Sequence, residues 1–278
     1  MILASNGIIA GKGSIPYVGL LDTYTGAAAA YSLRKLTGAY TGSAITVRRS
    51  SDNTSQNIGF DVNGDLDTTA LTSFVGSANA FVSVWFDQSG NGRNAIQTTA
   101  TSQLRIVNNG VIETLNGKPS LYNPTGYEVG YNGAFLRSTF GLTLSQPNTY
   151  FFVGSVDNKV TWLISNGSTN SYGIYREVNI TGASFGAALT ITQAASINTQ
   201  RLFFALGNST NSRIATNGAA GTTGNAGTNG VNGITISASA TTTASNTSKY
   251  QEVILWNSNK TTDRIGIEAN INSFYTIY

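Results

Sequence analysis

Short runs of alternating apolar and polar residues dominate the chain, and such alternation predicts β-strands with one buried face. Two clear examples are "SAITV", which ends at Val47, and "AFVSVWF" over residues 80–86. Between residues 103 and 256 come roughly ten more strand-like runs, not all of them alternating, at the spacing of a β-sandwich, among them "QLRIV", "YFFVGSV", "RLFFAL" and "YQEVILW". The pattern predicts an all-β, antiparallel sandwich.

Three segments follow a helical pattern instead. The alanine-rich "DTYTGAAAAYSLRKL" predicts a helix near residues 26–37, because alanine is the best helix former. "LDTTALTSFVG" predicts a short helix over 67–75 that Asp67 caps, and the C-terminal apolar spacing predicts a helix near 262–275. The candidate caps of the first helix are Asp22, Thr23 and Thr25.

The N-terminal residues 1–21 are predicted to form an extended arm ahead of one sandwich domain, residues 22–278. The arm is apolar and punctuated by glycine, and Pro16 disfavours a helix. A soluble monomer seldom leaves such a segment bare, so we expect it to dock on another chain or to pack on its own sheet. The predicted attachment residues are Ile2, Leu3, Ile8, Ile9 and Ile15.

Two glycine-containing stretches each allow two interpretations. Glycine recurs at every third position from Gly218 to Gly233, as in collagen, but without proline. A long hairpin loop is therefore favoured over a short three-chain bundle.

The acidic alternation in "DVNGDLD", residues 61–67, suggests a calcium loop, but Asn63-Gly64 favours a hairpin turn followed by the Asp67 cap.

Composition narrows the functional classes. Charged residues make up 10% of the chain, against roughly 25% in an average domain. The net charge is +3 and no basic cluster exceeds two residues, so no nucleic-acid partner is expected. The chain has no Cys and no His, which excludes an internal zinc site, a thiol nucleophile and a Ser-His-Asp triad. We expect no cofactor, no metal and no membrane insertion, and the N-terminus is a poor signal peptide.

Paired carboxylates can hydrolyse glycosides without any histidine. No two of the candidates are close in sequence, so a working pair is not visible at this level. The candidates are Asp87, Glu113, Asp157, Glu177, Glu252 and Glu268.

Two sequence blocks carry a family resemblance. The first runs from "AAAAYSLRKL" to "RRSSDNTSQNIGF", and the second is "FVSVWFDQSGNGRNAIQ" followed by "ETLNGKPSLY". In this order they resemble the catalytic domain of fungal α-L-arabinofuranosidases of the B type. They resemble even more closely virion proteins of tailed phages. Both resemblances imply a concanavalin A-like jelly roll, with the similarity strongest over residues 20–125.

The resemblance also implies where a catalytic pair would stand. The family's nucleophile is a Glu on a mid-domain strand, but "TYFFVGSVDNKVTWLIS" contains none. The family's acid is an Asp in the loop before the strand that matches "YQEVILW", and here that loop is "SASATTTASNTS". We therefore predict a non-enzymatic phage virion protein: a head fibre, decoration or tail fibre module made in the host cytoplasm. The alternatives are a secreted arabinofuranosidase-like glycoside hydrolase and a cement protein without glycan binding.

The expected partners of such a virion protein are other virion proteins, sister subunits in a homo-oligomer, for which a trimer is expected, and host surface glycans. The "FDQSGNGRNA" block ends a strand and has two interpretations. In the first it is a structural reversal in which Asp87 and Ser89 bond nearby N–H groups. In the second it contacts a sugar through the candidate ligand-binding residues Asp87, Gln88, Asn91 and Arg93.

Overall fold

The structure is a computed structural model in which twenty-one strands and three α-helices are assigned. It describes residues 16–123, 133–155, 161–167, 172–177, 180–185, 191–194, 198–238 and 248–278. The helices are α1 (Leu20–Thr23), α2 (Thr68–Val75) and α3 (Arg264–Tyr275).

The strands in the first half of the chain are short, and several have two residues. They are β1 (Ala27–Ser32), β2 (Ile45–Arg49), β3 (Ser55–Ile58), β4 (Ala80–Trp85), β5 (Ala95–Ile96), β6 (Leu104–Asn108), β7 (Val111–Ile112), β8 (Thr114–Leu115), β9 (Lys118–Pro119) and β10 (Leu121–Tyr122).

The later strands are longer on average. They are β11 (Leu136–Leu144), β12 (Asn148–Ser155), β13 (Thr161–Ser165), β14 (Tyr172–Glu177), β15 (Ile180–Phe185), β16 (Ile191–Ala194), β17 (Gln200–Gly207), β18 (Ser212–Thr216), β19 (Thr222–Gly224), β20 (Val231–Ile236) and β21 (Lys249–Trp256).

Every strand pairing in the described residues is antiparallel, and the pairings form two layers. The first layer has the order β1-β21-β12-β17-β18-β19. The second has the order β3-β2-β4-β5-β11-β20-β13-β14-β15-β16. Strands β6 and β10 join the two layers along one edge, because β6 pairs with β4 and β10 pairs with β21. The predicted antiparallel β-sandwich is confirmed.

The buried apolar residues form two clusters, one between the two layers and one between the first layer and two helices. The larger lies between the sheets, where Phe152 and Phe203 of the first layer meet Val82 and Ile234 of the second. The smaller covers the outer face of the first layer with α1 and α3. Its members include Leu20, Phe151, Phe204, Ile254, Trp256, Ile267 and Ile271. The central strands of the first layer are therefore buried on both faces, and each contains a continuous apolar run, "YFFV" in β12, "LFFAL" in β17 and "VILW" in β21.

The predicted helix near residues 26–37 is wrong. The alanines form strand β1, which pairs with β21 from Ala27 opposite Trp256 to Ser32 opposite Glu252. All six residues of β1 are buried. The helix preference of alanine amounts to less than about 1 kcal/mol per residue, and pairing and burial on both faces outweigh it. Over residues 16–49, all of which the structure describes, the only helix is the single turn α1.

The other two predicted helices are confirmed as α2 and α3. Strands at "SAITV" and "AFVSVWF" are confirmed as β2 and β4. The Asn63-Gly64 turn is also present: Asp61 N–H donates to Asp65 O over 2.8 Å, and Gly64 has a φ of +83°. The glycine-rich segment from Gly218 contributes β19 and the start of β20, with loops between them.

The Asp67 cap leads to a first prediction. Asp67 accepts a hydrogen bond from Ala70 N–H at 2.8 Å, which satisfies one free donor of α2. We expect Asp67→Ala to lower the free energy of unfolding by about 1 kcal/mol. Urea denaturation followed by circular dichroism measures the change, and Asp67→Ser, which keeps an acceptor, serves as the control. Equal stability of Asp67→Ala and the parent would contradict the assigned cap.

The N-terminal arm is described from residue 16 onward. Tyr17 donates its hydroxyl to Lys35 O at 2.6 Å, and Leu20 and Leu21 are buried in the smaller cluster. The predicted attachment residues Ile2, Leu3, Ile8, Ile9 and Ile15 lie outside the described residues, so docking of the arm stays a prediction. No helix in the described ranges is long and apolar enough to cross a membrane.

Candidate functional site

The "FDQSGNGRNA" block folds along the free edge of strand β1. Asp87 is almost fully buried, and both of its carboxylate oxygens accept hydrogen bonds. Oδ1 accepts from Ala30 N–H at 2.8 Å and from Ser89 N–H at 2.9 Å. Oδ2 accepts from the Ser89 hydroxyl at 2.8 Å and from Arg93 N–H at 3.0 Å. Bonds from Asp87 to nearby N–H groups are what the first interpretation of the block, a structural reversal at the end of a strand, predicts.

The other residues proposed for sugar contact bond the same edge. Gln88 is buried, and its Oε1 accepts from Leu36 N–H while its Nε2 donates to the carbonyls of Ser32 and Arg34. The Asn91 amide and the Arg93 guanidinium both donate to Ala28 O. The block thus supplies hydrogen bonds to β1 where no neighbouring strand does. This arrangement protects a sheet edge that would otherwise be unpaired.

The candidate carboxylates are held mainly by basic side chains. Glu252 is fully buried against Arg34, with 2.8 Å between Oε2 and Nε. Glu113 pairs with Arg105 at 2.6 Å and with Lys249 at 3.4 Å. Glu268 pairs with Arg264 at 2.8 Å. Asp157 lies outside the described residues, and Glu177 is described only as part of β14.

A pocket of about 270 Å³ brings two other carboxylates together. Asp61 and Asp65 lie on the turn between β3 and α2, and both line it. Lys118 of β9 reaches Asp65, with 3.2 Å between Nζ and Oδ2, and Nζ lies 4.1 Å from the centre of the Phe274 ring. The remaining wall comes from the residue after β1, from the start of α2 and the residues before it, from the β8-β9 hairpin and from the end of α3: Leu33, Leu66, Thr68, Gly117, Pro119 and Tyr275. We call this the acidic pocket.

The two carboxylates of the acidic pocket have different partners. Oδ1 of Asp61 accepts from the N–H groups of Asn63 and Asp65, at 2.8 and 3.0 Å, and these bonds fix its orientation in the turn. Asp65 has the ammonium group of Lys118 beside it and remains about two-fifths exposed. The pocket therefore combines two orientated carboxylates, one cation and an aromatic ring.

A buried ionic network lies behind the wall that Tyr275 contributes. Glu252 Oε2 accepts from Ser32 at 2.7 Å and from the Tyr275 hydroxyl at 3.3 Å, in addition to Arg34. Burial raises the pKa of Tyr275, and the Glu252 charge raises it further. Burial alone would lower the pKa of Arg34, but Glu252 outweighs that effect and raises it. The network ties β1, β21 and α3 together beside the pocket.

No metal centre is found in the described part of the chain, where no three side chains of the ligating types are grouped. The acidic pocket supplies two carboxylates and a cation, which is a set suited to acid-base chemistry on a neutral substrate rather than to metal binding.

Comparison with known proteins relates this architecture to enzymes. Residues 22–121 match the family model described as "Alpha-L-arabinofuranosidase B, catalytic". The match includes Asp61, Asp65 and Lys118 of the acidic pocket and the whole "FDQSGNGRNA" block. Among curated proteins no match is found.

Most of the chain is similar in fold to solved arabinofuranosidases. A GH54 α-L-arabinofuranosidase soaked with a cyclic sulfate inhibitor gives a TM-score of 0.66 at 16% identity, over 91% of this chain and 65% of that one. An arabinofuranosidase complexed with arabinofuranosyl-α-1,2-xylobiose gives 0.62 at 15% identity, over 91% and 64%. This chain thus spans less than two thirds of either protein. At these identities the similarity establishes the shared fold.

These findings correct the predicted function. The chain was expected to be a non-enzymatic phage virion protein, but the family match and the shared fold favour the alternative, an arabinofuranosidase-like glycoside hydrolase. Nothing found supports a phage origin. The prediction of a non-enzymatic protein rests on the poor signal peptide, on the absence of Cys and on two segments without carboxylates. Glycoside hydrolysis requires no Cys, and a carboxylate pair can come from other elements of the fold.

The sequence pattern does not predict the acidic pocket. It indicates only a calcium loop or a turn at Asp61 and Asp65. The available signal is two acidic residues at the two ends of a tight turn, four positions apart. Lys118 and Phe274 come from distant parts of the chain, and no local pattern connects them with that turn.

Proposed function

We propose that this chain is a glycoside hydrolase that acts on α-L-arabinofuranosides, with the acidic pocket as its sugar site. The observation that carries the proposal is that Asp61 and Asp65 line one pocket inside the segment that matches the arabinofuranosidase family. The fold shared with sugar-bound arabinofuranosidases supports it. At 16% identity the fold alone does not fix the substrate, so the pocket chemistry must support the assignment.

Hydrolysis by this route needs two carboxyl groups. One protonates the glycosidic oxygen, and the other attacks the anomeric carbon or activates a water molecule. Asp61 and Asp65 would provide this pair. Lys118 would orientate Asp65 and donate to a sugar hydroxyl, and the Phe274 ring under its ammonium group would hold Lys118 in place. The volume of about 270 Å³ suits one sugar residue rather than an extended chain.

The test is release of 4-nitrophenolate from 4-nitrophenyl α-L-arabinofuranoside. We expect turnover by the parent protein and a fall in kcat of about 10²- to 10⁴-fold in each of Asp61→Asn and Asp65→Asn. Asp52→Asn is the matched control, because Asp52 pairs with Arg49 on a distant hairpin.

Circular dichroism and thermal unfolding of each variant establish that the fold is kept. Absence of turnover by the parent would contradict the proposed function. Full activity in both pocket variants would contradict the assignment of the site.

A further inference from the structure

The turn that carries both carboxylates of the acidic pocket, residues 61–65, is covered from outside by the start of the chain. We call it the carboxylate turn. Gly64 is buried, although the three residues before it in the turn are exposed. The ring of Tyr17 provides the cover: a methyl group added to Gly64 would lie 2.6 Å from Cζ of Tyr17 and 2.8 Å from its hydroxyl oxygen. Because these distances leave no room for a side chain, the ring lies directly on the backbone of the turn.

Hydrogen bonds through the residues after β1 also connect Tyr17 with the carboxylate turn. The Tyr17 hydroxyl donates to Lys35 O at 2.6 Å, and Lys35 N–H donates to Gly64 O at 2.7 Å. Arg34 and Asp65 form an isolated antiparallel bridge beside these bonds. Tyr17 therefore contacts the turn in two ways, directly with its ring and indirectly through the backbone of Lys35.

The segment that carries Tyr17 is fixed to the same part of the chain. The N–H groups of Gly19 and Gly38 both donate to Asp22 Oδ2, at 2.7 and 2.8 Å. Burial raises the pKa of Tyr17, so its hydroxyl keeps its proton, and its bond to Lys35 O, throughout the neutral pH range. The ring that covers the turn is thus held at its backbone and at its hydroxyl.

Hydrolysis depends on where the two carboxylates stand. Catalytic groups must keep their positions to within about 0.5 Å, and a displacement of about 1 Å can lower a rate about 10²-fold. The bonds within the carboxylate turn orientate Asp61 relative to Asp65. The contacts with Tyr17 and Lys35 place the turn as a whole against the residues after β1.

We propose that Tyr17 is a positioning residue of the acidic pocket, whose ring holds the carboxylate turn so that Asp61 and Asp65 stand where hydrolysis needs them. Tyr17 does not line the pocket, so it acts through the turn. Its effect on hydrolysis rests on the proposed function, whereas its hold on the turn does not.

Steady-state hydrolysis of 4-nitrophenyl α-L-arabinofuranoside tests the proposal. We expect Tyr17→Ala to lower kcat about 10- to 10²-fold and to leave KM near the parent value, because Lys118, which would bind a sugar hydroxyl, is kept. Tyr17→Phe keeps the ring on Gly64 and should recover most of kcat. Tyr24→Ala is the matched control, because Tyr24 is also half-buried but lies against Gly266 of α3 instead of the carboxylate turn. Its kcat should equal that of the parent.

Gly64→Ala provides a reciprocal test of the contact. In the parent its methyl group collides with the Tyr17 ring, whereas in Tyr17→Ala it has room, and the strain of the positive φ is the same in both. Gly64→Ala should therefore lower kcat by a larger factor in the parent than in Tyr17→Ala. Equal factors in the two backgrounds would overturn the proposal.

Amide hydrogen exchange, followed by NMR, measures the hold on the carboxylate turn without any substrate. Exchange at Gly64 and Lys35 should be at least about tenfold faster in Tyr17→Ala than in the parent, and unchanged in Tyr24→Ala. Unchanged exchange in Tyr17→Ala, a kcat of Tyr17→Ala equal to that of the parent, or an equal fall in kcat in Tyr24→Ala would overturn the proposal. Absence of turnover by the parent contradicts the proposed hydrolysis, whereas unchanged exchange contradicts the hold of Tyr17 on the turn, so the two failures are distinguishable.

Discussion

Glu252→Gln should lower the free energy of unfolding by about 3–5 kcal/mol, because it leaves the charge of Arg34 buried without a counter-charge. The Arg34 and Glu252 side chains are 6% and 1% exposed, and two hydrogen bonds, at 2.8 and 3.1 Å, join them. Ser32 and Tyr275 complete the carboxylate's partners. Chemical denaturation of the purified variant measures the loss.

A double variant separates loss of the ion pair from loss of shape. Arg34→Met combined with Glu252→Gln removes both charges and keeps similar volumes, so it should be more stable than Glu252→Gln alone. Glu113→Gln is the comparison, because Glu113 lies nearer the surface and has two basic partners. If Glu252→Gln were no more destabilising than Glu113→Gln, the buried pair would not hold β1, β21 and α3 together.

Asp87→Ala should cost about 3 kcal/mol of stability, because it leaves several buried donors without acceptors. The carboxylate serves the N–H groups of Ala30, Ser89 and Arg93. Asp87→Asn keeps one acceptor oxygen and should cost less. Urea denaturation of both variants gives the order, with Asp52→Ala as a carboxylate control on an exposed hairpin, where a much smaller loss is expected.

The Asp87 result bears on the role of the whole block. If the free energy of unfolding of Asp87→Ala equals that of the parent, other contacts hold the edge of β1. Asp87 is then available to bind a ligand. If the loss is as large as expected, the block acts first as the closing edge of the first layer. Contact with a sugar through Asp87, Gln88, Asn91 or Arg93 stays a prediction in either case.

Local patterns in the sequence predicted much of the sandwich. The alternation in "SAITV" and "AFVSVWF" predicted β2 and β4, because each has one face in the core. Asp67 and the apolar spacing after it predicted α2. These elements are recognisable because a single local rule, side-chain alternation or helix capping, determines them.

The failures come from interactions between distant residues. "AAAAYS" became a strand because β21 pairs with it and both faces are covered, which no local propensity reveals. The acidic pocket was missed for a similar reason. Its carboxylates belong to a turn near residue 63, whereas its cation and aromatic ring are about 50 and 200 residues further along the chain.

The most direct test of the proposed function is a crystal structure of Asp65→Asn soaked with 4-nitrophenyl α-L-arabinofuranoside. Asp65→Asn lacks one of the two carboxylates that hydrolysis needs, so it should bind the substrate and hydrolyse it only slowly. The proposal predicts an arabinofuranosyl ring in the acidic pocket, with its glycosidic oxygen near Asp61 and one of its hydroxyl groups on Lys118. An arabinofuranosyl ring bound elsewhere on the sandwich, with the acidic pocket empty in the same crystal, would contradict it.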